Sequence, residues 1–145
     1  VFTVRDGIEL LNKSKCNAIM VGRGSLGNPW LFRGLIYHIK MDSLAGRPMP
    51  VEGKNTNMGL VTNEMSPCHT EPTPEEKINM ALRHLNLAIS HKGEYIGIIE
   101  MRKHIAWYLR GLKGSANLRN QINKIKYKND MERVLIEYLD RAGRQ

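Results

Sequence analysis

The sequence predicts an α/β segment followed by an all-α segment, and three observations support this fold class. A short apolar run at residues 18–21 ends in glycine between two helix-like stretches, which is typical of a strand buried on both faces. Residues 42–72 contain several prolines and glycines and no sustained periodicity. From Thr73 onward, four successive stretches carry apolar residues at helical spacing, which predicts a small four-helix bundle.

Residues 1–41 are predicted to form a helix, a strand and a second helix. Thr3 and Asp6 have the spacing of an N-terminal capping box, and apolar residues follow them at helical spacing. The predicted strand at residues 18–21 is followed by the glycine loop GRGSLG at residues 22–27. Asn28-Pro29 then supplies an N-cap and a proline at the first helical position, so the second helix begins there.

Residues 42–72 are predicted to be a linker, and residues 73–145 a helical domain. Thr73-Pro74-Glu75-Glu76 combines an N-cap, an N1 proline and a capping-box glutamate, so a helix starts at this point. Gly93 is the predicted left-handed end of that helix. The remaining helices are predicted over residues 95–110, from Ser115, and from Asn129 or Asp130.

Length, charge and cysteine content limit the classes of protein to which the chain can belong. The length of 145 residues suits one domain or two small ones. The net charge of +8 suits a phosphate-bearing partner. Its two cysteines lie far apart and outside any CxxC pair, which favours a reducing, cytoplasmic setting. No apolar run approaches the length of a membrane span, so no membrane association is predicted.

The glycine loop at residues 22–27 matches the pattern GxGxxG between a predicted strand and a predicted helix. Glycines let the backbone approach a phosphate, and N–H groups at the helix start can receive it. A dinucleotide site would also need a second strand ending near an acidic residue. The Pro/Gly segment that follows offers no such strand, and Asp42 alone does not indicate this site. A mononucleotide phosphate site and a purely structural tight turn both stay open.

Positive charge is concentrated at residues 92–128, which hold nine basic and two acidic residues, a net of 9 − 2 = +7. Together with Trp107, Tyr108 and Tyr127, this segment suits a surface that follows a nucleic-acid backbone. The alternative is a set of ordinary solvated helix faces. The basic residues are Lys92, Arg102, Lys103, Arg110, Lys113, Arg119, Lys124, Lys126 and Lys128.

The sequence predicts neither a metal site nor a catalytic centre within this chain. The five histidines show no HExxH or Cys/His ligand spacing. Cys68 and His69 are adjacent, but neighbouring residues in a loop rarely have the orientation that a catalytic dyad needs. The predicted role of this chain is therefore to bind a ligand or partner rather than to carry a catalytic centre.

Two strings carry a family resemblance. MVGRGSLGNPWLF at residues 20–32 resembles the segment that closes the flavin barrel of the tRNA-dihydrouridine synthases. MRKHIAWYLRG at residues 101–111, followed by LRN at residues 118–120, resembles the signature of the same family's C-terminal helical domain. The resemblance implies the C-terminal fragment of a TIM (β/α)8 barrel followed by a small helical bundle that binds tRNA.

The resemblance also implies cofactors, a reaction and site residues. The family reduces uridine to dihydrouridine in tRNA; NADPH reduces the bound FMN, which passes hydride to uracil. Gly22, Arg23 and Gly24 would hold the FMN phosphate. The residues expected to bind tRNA are Arg102, Lys103, His104, Arg110 and Arg119.

A complete barrel needs about 200 residues or more, so the resemblance implies that most of the barrel lies outside this sequence. Neither Cys16 nor Cys68 occupies the family's catalytic cysteine position. We therefore expect the chain alone to be inactive, with the remainder of the barrel as its partner, or otherwise to be a monomer. The alternatives are a free-standing RNA-binding helical module and the tail of another FMN-barrel oxidoreductase.

Overall fold

The computed structural model describes residues 1–44 and 71–142. The chain divides into two compact units, Val1–Glu71 and Pro72–Gln145. Most of the predicted linker, including Cys68, lies outside the described residues. Within the described ranges, no helix is both long and apolar enough to cross a membrane. The helices are α1 Val4–Ser14, α2 Trp30–Leu44, α3 Pro74–Lys92, α4 Glu94–Tyr108, α5 Ser115–Ile122 and α6 Lys128–Ala142, with a 3-10 turn at Arg23–Ser25.

In the first unit, α1 begins at the predicted capping box. The Thr3 hydroxyl accepts a hydrogen bond from the Asp6 N–H at 3.1 Å, and the Asp6 carboxylate accepts one from the Thr3 N–H at 3.0 Å. Helix α1 packs against α2. At Gly7 a Cβ atom would lie 2.5 Å from Leu35 Cδ2, so the glycine that weakens α1 permits close contact with α2.

The predicted strand at residues 18–21 is not formed, and the described residues contain helices and turns but no strand. Met20 is 88% exposed, so this apolar run is not buried on both faces. A strand obtains its hydrogen bonds and its burial from neighbouring strands, and residues 1–44 and 71–142 supply none. The α/β part of the predicted fold class is therefore wrong for the described residues, which are helical.

The second unit opens with the predicted cap of α3. The Thr73 hydroxyl accepts from the Glu76 N–H at 3.1 Å, and the Glu76 carboxylate accepts from the Thr73 N–H at 2.8 Å. Gly93 alone separates α3 from α4: its N–H donates to the Ile89 carbonyl and its own carbonyl accepts from the Gly97 N–H. The predicted stop at Gly93 is confirmed, but its φ of 79° and ψ of 163° are not the left-handed helical values expected.

The core of the second unit follows the apolar positions that helical spacing predicts. Helix α3 packs against α4 and α6, and α5 packs against α6. At Gly97, a Cβ atom would lie 3.0 Å from the Ile89 Cα atom, so α3 and α4 approach closely at that point. The residues buried in this core are Ile78, Ala81, Leu85, Ile98, Met101, Ile105, Tyr108, Leu109, Leu118, Ile122, Met131 and Leu135.

Candidate nucleic-acid interface

Gly22, Arg23 and Gly24, the residues predicted to hold a phosphate, form the start of the 3-10 turn in the first unit. The Ser25 N–H and hydroxyl both donate to the Gly22 carbonyl, at 3.1 and 2.8 Å, and close the turn. Gly22 and Arg23 are exposed. The predicted strand-to-helix loop is therefore a short helical turn that precedes α2.

Gly22 and Gly24 offer different amounts of space beside this turn. A Cβ atom at Gly22 would meet nothing within 4 Å, whereas one at Gly24 would lie 2.0 Å from the Val1 carbonyl oxygen. The side of the turn at Gly24 is thus filled by the chain's own backbone. The side of the turn at Gly22 is open, and Arg23, the next residue in the chain, is exposed.

The residues predicted to bind RNA lie on different parts of the second unit. Arg102, Lys103 and His104 are on α4, Arg110 follows that helix, and Arg119 is on α5. The Arg102 side chain is half-buried, and its Nε and Nη2 atoms donate to the Ile125 carbonyl at 3.2 and 2.6 Å. This contact to backbone makes Arg102 a brace between α4 and the loop after α5.

Lys103 and Arg110 are exposed to solvent. Arg119 is also exposed, although its Nε atom donates to the Ser115 carbonyl within α5 at 3.3 Å. Helix α4, which carries Lys103, has two acidic residues: Glu100 accepts from Lys92 at 2.6 Å, and Glu94 accepts from the Lys128 N–H at 2.8 Å. Lys103 and Arg110 are therefore the predicted residues best placed to meet an external anion.

A cluster of imidazole and aromatic rings joins α3 to α4. The ring centroids of His84 and His104 are 5.0 Å apart. The Tyr108 hydroxyl lies 3.4 Å from His84 Nδ1, within hydrogen-bond distance. Trp107 packs edge-on against His104 with a centroid separation of 5.0 Å, and the Lys103 ammonium is 6.0 Å from the Trp107 ring. His104 is thus a half-buried member of an interhelical cluster.

Both histidines of this cluster are biased toward the neutral form. Burial lowers the pKa of His84 below its ordinary value. Burial likewise lowers the pKa of His104, and the nearby charges of His84 and Lys103 lower it further. A positive charge on either ring would lose hydration and face the second imidazole.

We expect acidification to destabilise the chain through this cluster. The ordinary histidine pKa is 6.5, and the folded values are lower, so the unfolded chain binds protons first as the pH falls. The free energy of unfolding should therefore decrease between about pH 7.5 and about pH 5.5, a window above the carboxylate titrations. Urea unfolding across that window measures the decrease.

A pair of substitutions assigns the expected decrease to the cluster. His84→Gln should flatten the pH dependence, because it removes one titrating ring and the repulsion felt by the other. Asn86→Gln changes an exposed residue of the same helix that does not titrate, and it should leave the dependence as in the parent chain. An unfolding free energy that stays constant across the window would contradict the expectation.

The histidines show no metal-ligand spacing in the sequence, and the sequence therefore assigns no role to His84. A signal was present, because His84 precedes the core position Leu85 and His104 precedes the core position Ile105. Each histidine therefore lies at the border of a buried helix face. The pairing of the two faces, however, depends on how α3 and α4 fold back around Gly93.

The described residues define a two-unit helical protein whose second unit carries a concentrated positive charge. The family model described as Dihydrouridine synthase (Dus) matches residues 1–142. The chain therefore belongs to the dihydrouridine synthase family, as the two sequence strings indicated.

Two relatives illustrate the similarity. The chain is 30% identical over 142 residues to a probable tRNA-dihydrouridine synthase of Mycobacterium leprae, covering 98% of this chain and 30% of that protein. It is 34% identical over 116 residues to tRNA-dihydrouridine synthase B of Pasteurella multocida, covering 80% of this chain and 28% of that protein. The chain thus spans less than a third of the length of these curated relatives.

Proposed function

We propose that this chain is the C-terminal part of a tRNA-dihydrouridine synthase, an oxidoreductase that uses FMN and NADPH to reduce uridine to dihydrouridine in tRNA. The observation that carries the proposal is the family match over residues 1–142, which extends through both compact units. The names of the relatives, each a tRNA-dihydrouridine synthase, support the same substrate class.

In this proposal the first unit contributes the phosphate end of the flavin site. Gly22 and Arg23 would bind the FMN phosphate, with Gly24 allowing the close backbone approach beneath them. FMN, when bound, supplies the hydride for the uracil ring. The apolar run at residues 18–21, exposed in part at Met20, would become a barrel strand once strands of a longer protein pair with it.

The second unit would bind tRNA through its cationic segment. Lys103 and Arg110 are exposed and would contact phosphates, with Arg119 as a further contact on α5. His104, a member of the imidazole–aromatic cluster, would contact the tRNA beside Lys103. Arg102, which bonds to the Ile125 carbonyl, would support the interface by holding the loop after α5.

The tRNA-binding role predicts the effect of a charge reversal. Lys103→Glu combined with Arg110→Glu should weaken binding of the full chain to unfractionated tRNA by about tenfold or more at low salt. The slope of log K against log salt should become shallower by roughly 1.4 to 1.8, because two phosphate contacts are lost. Filter binding at several salt concentrations measures both quantities.

The matched control reverses the same number of charges elsewhere on the second unit. Arg133→Glu combined with Arg141→Glu changes two exposed α6 residues that pair with Asp130 and Glu137. This variant should keep a salt slope close to that of the parent chain. Equal losses in the two double variants would show that net charge alone governs binding and would contradict the assigned interface.

A further inference from the structure

The loop between α5 and α6 is held against α4 at Ile125 within the loop and at Lys128, the first residue of α6. Arg102 donates two hydrogen bonds to the Ile125 carbonyl, and the Glu94 carboxylate accepts one from the Lys128 N–H at 2.8 Å. Glu94 and Arg102 are eight residues apart on one helix, so the two points are separated by about 12 Å along the α4 axis. The loop is therefore held lengthwise against α4 rather than projecting freely.

We call these two attachments, Arg102 to Ile125 and Glu94 to Lys128, the clamp. The loop that the clamp holds exposes an aromatic ring and two positive charges to solvent. Tyr127 is 67% exposed, and Lys124 and Lys126 on the same loop are also exposed. Tyr95, which follows Glu94 on α4, is 73% exposed. The exposed tyrosines thus lie next in sequence to the two partners of the Glu94–Lys128 hydrogen bond.

The exposed tyrosines differ from the other tyrosines of the second unit, which have structural partners. The Tyr138 hydroxyl donates to the Lys113 carbonyl at 2.9 Å. Tyr108 is buried, with its hydroxyl near His84 Nδ1. Burial and hydrogen bonding account for Tyr108 and Tyr138, whereas Tyr127 offers most of its ring surface to an external partner.

We propose that the α5–α6 loop binds an unpaired nucleotide of RNA, with Tyr127 stacking on the base and Lys124 and Lys126 contacting the flanking phosphates. This inference rests on the proposed function and adds the part of the RNA that this surface recognises. A flat aromatic ring beside lysines suits a splayed single-stranded base, because bases inside a duplex are stacked on each other. Arg102 is the positioning residue that holds the loop in place.

The test compares a labelled single-stranded RNA oligonucleotide with the same strand annealed to its complement, using fluorescence anisotropy and the full chain. Tyr127→Ala should weaken single-strand binding by about fivefold to 100-fold and duplex binding much less. The salt slope should not change, because no charge is removed. Tyr127→Trp, which keeps a stacking surface, should bind the single strand about as tightly as the parent chain does.

Phe32→Ala serves as the matched control, because Phe32 is another exposed aromatic residue and lies on α2 in the first unit. It should leave single-strand binding unchanged. Tyr127 is exposed in a loop, so its replacement should leave the helical circular dichroism signal intact. Tyr127→Leu gives a second variant that keeps apolar bulk but removes the aromatic face, and it should bind as weakly as Tyr127→Ala.

The positioning role of Arg102 is tested by a double-mutant cycle. In an Arg102→Gln background, Tyr127→Ala should cost less affinity than it does in the parent chain, because the ring is no longer held in place. Arg102→Lys, which can still donate to the Ile125 carbonyl, should recover part of the Tyr127 effect. If the affinity losses of the Arg102 and Tyr127 substitutions simply add, Arg102 has a separate role and does not position Tyr127.

Two outcomes separate the failure of this inference from failure of the proposed function. If Tyr127→Ala binds the single strand as tightly as the parent chain while reversal at Lys103 and Arg110 still weakens tRNA binding, the stacking site is wrong and the tRNA role stands. If the parent chain binds neither tRNA nor the oligonucleotide at low salt, the tRNA role fails, and the stacking site fails with it.

Discussion

Replacing Leu85 with alanine is expected to lower the free energy of unfolding by about 2–5 kcal/mol. Leu85 is 0% exposed on α3, the helix that packs against both α4 and α6. Truncation removes buried methyl groups and leaves a cavity in the core of the second unit. Because a unit of this size has only a few kcal/mol of net stability, the variant should lose its cooperative unfolding transition near room temperature.

Leu87 provides the control for this prediction. It lies two positions further along α3 and is 50% exposed, so Leu87→Ala makes the same chemical change at the surface. Helix propensity changes equally in the two variants, and only the burial differs. Urea unfolding of the full chain should show Leu87→Ala within about 0.5 kcal/mol of the parent. Similar losses for the two variants would mean that Leu85 does not lie in the core.

The features that could be predicted from sequence are those encoded by neighbouring residues. The capping boxes at Thr3 and Thr73 depend on a side chain and a backbone group three residues apart, and both were confirmed. The buried positions of α4 also follow from spacing alone, since Ile98, Met101 and Ile105 recur on one helix face. Local geometry determines these features, so tertiary contacts did not need to be known.

The features that could not be predicted depend on partners distant in sequence. The apolar run at residues 18–21 has strand-like composition, yet strand formation requires neighbouring strands that the described residues do not contain. The bond between Arg102 and the Ile125 carbonyl spans 23 residues, so the motif that contains Arg102 could not predict this contact. Tyr127 was noticed for its charged surroundings, but its exposure emerged only from the fold.

Replacing Gly97 with valine is expected to destabilise the chain by about 1–3 kcal/mol. Gly97 is buried, and its Cβ would lie 3.0 Å from both the N and Cα atoms of Ile89 on α3. Backbone atoms of a packed helix cannot move aside as a side-chain tip can, so α3 and α4 must separate. Helix propensity acts in the opposite direction, because valine is favoured over glycine by a few tenths of a kcal/mol.

Gly97→Ala and Ala116→Val complete this experiment. The alanine variant adds the Cβ without branching, so its loss should be smaller than that of Gly97→Val. Ala116 is exposed on α5, and Ala116→Val should show only the propensity cost of a β-branched residue, about 0.6 kcal/mol. Thermal and urea unfolding of the full chain measure all three. A Gly97→Val chain as stable as the parent would show that α3 and α4 have room for a side chain there, and the close helix crossing would be wrong.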